Sequence, residues 1–63
     1  MDINDIINEV HDIIDILLEI QSRIGELEPA LKENSIASFV FAAKAQEEVL
    51  DAINYLTRST HQL

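Results

Sequence analysis

The chain has no cysteine and no tryptophan, one glycine, one proline, and only four Lys and Arg among 63 residues. Each shortage excludes something. Without Cys there is no disulfide framework, no thiol nucleophile and no thiolate metal ligand, and such a chain suits a reducing compartment. One Gly and one Pro leave few places to turn, so the elements must be few. Twelve acids against four bases give a formal charge of −8. That balance argues against direct nucleic-acid binding, which needs Lys and Arg to displace phosphate counterions, and against an anionic membrane surface. Long apolar runs are also missing: acids interrupt the apolar residues every three or four positions, so no segment reads as a bilayer span. The acidic N-terminus lacks the basic stretch of a secretory signal. A cytoplasmic location is the expectation.

What is present is a repeat of seven. Ile3, Val10, Leu17 and Ile24 fall seven apart, and so do Ile6, Ile13, Ile20 and Leu27. Projected at about 100° per residue, Ile3, Ile6, Ile7, Val10, Ile13, Ile14, Leu17, Ile20 and Ile24 cover an arc of roughly 140°, with Ile16 and Leu18 beyond its edges. β-Branched residues favour strands, but the doublets Ile6-Ile7, Ile13-Ile14 and Leu17-Leu18 recur at helical spacing and break a period of two. A helix over about residues 2–27 follows, with Asp2 or Asn4 as its cap. Gly25 and Pro29 place the turn at about 25–29, and Pro29 suits the first turn of a second helix. Asn34 and Ser35 offer an alternative cap for that helix. Helix two is expected over about 29–58, with Phe39, Ala42, Ala43, Val49, Leu50, Ile53 and Leu56 inward and a frayed tail at 59–63. The fold class is therefore all-α: one domain, residues 1–63, an antiparallel two-helix hairpin.

A hairpin this small has little core, and its apolar stripes are wider than one seam requires. Ile7, Ile14 and Leu18 widen helix one, and Ile36, Phe39, Val40 and Phe41 point in nearly all directions at the start of helix two. Those seven residues are the candidates for self-association, and a homodimeric four-helix bundle is the expected assembly.

The other candidate surface is acidic. Asp5, Glu9, Asp12, Asp15 and Glu19 share helix one with no Lys or Arg before Arg23. They suit docking to a basic protein surface, for instance on a DNA-binding protein. The plainer account is a solvated face that keeps an apolar chain dispersed, since acids in early helical turns also favour the helix dipole. His11 and Asp15 lie four apart on one face, but two ligands make no metal site. There is no Gly-rich phosphate loop and no Ser-His-acid set that a hairpin could assemble in a cleft. No catalytic residue, cofactor or metal is expected.

The functional expectation is a non-catalytic regulatory or adaptor protein acting as a helical homodimer on an unidentified, basic partner. The alternative is a structural subunit or small chaperone covering an apolar helix of a larger assembly. In size, charge and pattern the chain resembles small acidic accessory proteins of phages, plasmids and secretion systems. No motif ties it to one family residue by residue.

Overall fold

The computed structural model describes residues 1–63 and contains two helices, α1 (Ile3–Asn34) and α2 (Ile36–His61), packed against each other as an antiparallel hairpin. A helix of 32 residues is about 48 Å long at 1.5 Å per residue, and the molecule measures 48 × 16 × 12 Å. α1 therefore runs the whole length of the molecule.

Asp2 starts α1. Its extended backbone and its Oδ1, which accepts from the Asp5 N–H at 2.9 Å, satisfy one of the donors a helix start leaves open. The helix does not stop at residues 25–29, as Gly25 and Pro29 had suggested. It continues through both and ends at Asn34. Gly25 has no positive φ and so forms no left-handed cap. Pro29 lies inside the helix, where the bond its N–H would make to the Gly25 carbonyl is missing. Two features carry the helix past it. The row Val10, Leu17, Ile24 extends to Leu31, which is half-buried against α2, and a better stop signal waits at Ser35.

Ser35 is the whole connection. In extended conformation (φ −162°, ψ 114°) it donates its N–H to the Leu31 carbonyl at 2.7 Å, closing α1. Its Oγ accepts from the Ser38 N–H at 3.2 Å and its carbonyl from the Phe39 N–H at 3.1 Å, opening α2. One residue thus caps both helices. α2 also runs past its expected end at Arg58, to His61, and is closed by the Gln62 N–H donating to the Ser59 carbonyl at 3.3 Å and the Leu63 N–H donating to the Thr60 carbonyl at 3.2 Å. Thr60, seven residues beyond Ile53, is half-buried, so what read as a tail belongs to the seam.

The seam is built from two seven-residue rows on each helix. On α1 these are Ile7, Ile14, Gln21, Glu28 and Val10, Leu17, Ile24, Leu31; on α2 they are Phe39, Gln46, Ile53, Thr60 and Ala42, Val49, Leu56. This is the arrangement of helices packed through side chains at alternating spacings of three and four. Of the two apolar rows that stand out in α1, only the Val10 row enters the seam. Ile13, Ile20 and Leu27 remain 43%, 39% and 58% exposed. Burial is shallow throughout: Ile53, at 9% exposure, is the one buried residue in the chain.

Candidate functional site

Three surfaces remain once the hairpin has formed. The first is the back of α1. Asp5, Asp12, Glu19, Glu26 and Glu33 fall seven apart and lie opposite the seam, with Glu9 and Asp15 beside them, all exposed. The row runs from Asp5 to Glu33, about 42 Å of helix. The one ion pair in the molecule joins Lys44 Nζ to Glu47 Oε2 at 4.0 Å, both on α2, so no carboxylate of α1 is paired. Lys44 and Glu47 lie three residues apart on α2. The five acidic residues singled out from sequence all reach this back. Glu26 and Glu33 extend the row; Glu33 was missed because α1 was expected to end at residue 27, whereas Glu26 lies inside that range and was passed over. Their seven-residue spacing from Glu19 was the available signal.

The second surface is the polar middle of the seam. Gln46 reaches across from α2 and donates from Nε2 to the Gln21 carbonyl at 3.1 Å. It passes over Gly25, where a Cβ would stand 3.1 Å from that same nitrogen. Glu28 lies close by, and its Oε1 is buried with no hydrogen-bond partner. With Ala43, Glu47 and Leu50 these residues line a shallow groove of about 270 Å³. No group of three or more His, Asp or Glu side chains is arranged to hold a metal ion, and no helix is long and apolar enough to cross a membrane.

The third surface is apolar and consists of two parts. The row Ile6, Ile13, Ile20, Leu27 runs along one flank of α1, with Ile16 beyond it. On α2, Ile36, Val40, Phe41 and Tyr55 are exposed, Phe41 at 75%. The residues expected to mediate self-association are divided by the fold. Ile7, Ile14 and Phe39 lie half-buried in the seam between α1 and α2, whereas Leu18, Ile36, Val40 and Phe41 stay exposed. Two cations rest on the aromatic rings of α2. Lys32 Nζ lies 5.5 Å from the centroid of Phe39, and the Arg58 guanidinium lies 5.8 Å from that of Tyr55.

No protein-family model matches the chain, and searches of curated proteins and of solved structures return no match.

Proposed function

We propose that the chain is a non-catalytic regulatory or adaptor protein that works as a helical homodimer and docks a basic protein surface through the back of α1. The observation that carries this reading is the row Asp5, Asp12, Glu19, Glu26, Glu33, five unpaired carboxylates on one continuous helix. A single-signed row on a helix costs self-repulsion within the chain and offers steering and register to a partner of opposite sign. The phosphate-contacting surface of a DNA-binding protein has the required charge. Phe41, 75% exposed on α2, is an aromatic anchor of the type that dominates binding energy at protein interfaces, within reach of a partner that wraps from the back of α1 onto α2.

Charge reversal tests the docking. A variant carrying Asp5→Lys, Asp12→Lys and Glu19→Lys is expected to keep its helical circular dichroism and to lose capture of basic proteins from a lysate at low salt. Capture that survives all three changes would reduce the row to a solvated face.

A second reading is supported by the exposed apolar side chains Ile36, Val40 and Phe41 at the turn end of the hairpin. In that reading the chain is a structural subunit or small chaperone that covers an apolar helix of a larger assembly. Aggregation or a molten monomer in isolation is the behaviour expected of such a subunit.

A further inference from the structure

We infer that the second copy of the chain sits on the hairpin face formed by Ile6, Ile13, Ile20 and Leu27 of α1 with Ala45 and Ala52 of α2. This rests on the homodimer reading above and assigns it a surface.

A two-helix hairpin has two broad faces, and the contacts across the seam tell them apart. Lys32 over Phe39 and Gln46 against Gly25 mark one face. That face is interrupted by Gln21, Glu28 and Gln46 and by the groove they line. Because the helices are antiparallel, the flank next to the Val10 row on α1 and the flank next to the Ala42 row on α2 both belong to the other face. The first of these flanks is the Ile6 row, and the second holds Ser38, Ala45, Ala52 and Ser59. Across this entire face there is no Asp, Glu, Lys or Arg. It is the one long surface of the molecule that a second apolar surface can meet without stranding a charge.

Its shape is self-complementary. Four bulky side chains form a ridge on α1, and small residues form a shallow lane beside it on α2. A copy related by a twofold axis sets each ridge against the other's lane, which is the isologous contact expected of a closed dimer. Each helix then touches two neighbours, as helices of a four-helix bundle do.

The exposed area supports the same conclusion. A folded chain of this mass is expected to expose about 4,100 Å², whereas this one exposes 4818 Å². The excess of about 700 Å² comes from the rod shape of the hairpin, 48 × 16 × 12 Å with Ile53 its one buried residue, and a second copy covering a typical share of roughly 800 Å² per partner would offset it.

The chain has no cysteine of its own, so single thiols report cleanly. Ala45→Cys lies on the proposed face and Ala37→Cys on the outer side of the same helix. Both positions are exposed in a single hairpin, so in the full chain Ala45→Cys is expected to react with a thiol reagent about tenfold more slowly than Ala37→Cys only where a second copy covers it. Ala45→Glu is expected to halve the mass measured by light scattering, while Asn54→Glu, at an exposed position away from the proposed face, leaves it unchanged. Should Ala45→Glu unfold the chain instead, the labelling rates still discriminate. A dimer in which both thiols react alike and Ala45→Glu stays dimeric overturns this face and leaves the homodimer standing. A wild-type chain that is monomeric at every concentration overturns both.

Discussion

Gln46 occupies the space that Gly25 leaves empty. Its Nε2 donates to the Gln21 carbonyl at 3.1 Å, and a Cβ on residue 25 would lie 3.1 Å from the same atom. The glycine is thus a site of close approach between the two helices and not the end of one. Its conformational cost in mid-helix is set against a polar contact that holds the helices in register.

This coupling is measurable by a double-mutant cycle. Ala in place of Gly gains about 1 kcal/mol in a helix interior, but at residue 25 it displaces Gln46 from a hydrogen bond worth about 1 kcal/mol net. Gly25→Ala alone is therefore expected to change the unfolding free energy by less than about 0.5 kcal/mol. In a Gln46→Ala background it should stabilise by about 1 kcal/mol. Equal effects in the two backgrounds, by chemical denaturation, would show that the two residues are not coupled.

Pro29 provides a test of where the chain turns. Inside an exposed helical turn, replacing Pro with Ala restores a backbone donor and removes a clash, at a nominal gain of about 3 kcal/mol. Pro29→Ala is expected to stabilise the hairpin by at least about 1 kcal/mol. Destabilisation would mean that a break at this position organises the fold.

Ser35 carries the turn through its side chain as well as its backbone. Ser35→Ala removes the acceptor for the Ser38 N–H and is expected to cost about 1 kcal/mol, whereas Ser35→Gly should cost only a few tenths. Matching losses for the two substitutions would indicate that the cap contributes nothing through its hydroxyl.

The unpaired acidic row predicts a response to salt. Carboxylates seven apart on α1, with none of them in an ion pair, repel one another and are screened as ionic strength rises. The thermal midpoint is expected to climb between low and moderate sodium chloride, and Glu26→Lys should flatten the climb. A midpoint that falls with salt would imply attractive pairs that the fold does not contain.

Much of this architecture was legible in the chain, and the parts that were not have physical reasons. The doublets Ile6-Ile7 and Ile13-Ile14 identify a helix, and the inward positions of α2 follow from Phe39, Val49, Ile53 and Leu56; only Leu50 was expected inward and is found exposed. The turn was expected at 25–29 because Gly25 and Pro29 are local stop signals; it falls at Ser35, the alternative cap, because Leu31 in the seam carries α1 past Pro29, and that tertiary contact is not local. The row that faces α2 was also hidden. The Val10 and Ile6 rows are equally periodic and equally apolar, and which enters the seam depends on where α2 docks. Gln21, Glu28 and Gln46 occupy seam positions that an apolar pattern does not reveal. The acidic back of α1 was readable from spacing alone, because charges opposite a seam keep its period.

The measurement that bears most directly on the proposed function is the mass of the purified full chain by size exclusion with light scattering over a wide concentration range. A stable species of about 14 kDa, twice the 7.1 kDa of one chain, unchanged on dilution, is the expected result. A folded 7.1 kDa monomer with cooperative unfolding would contradict it.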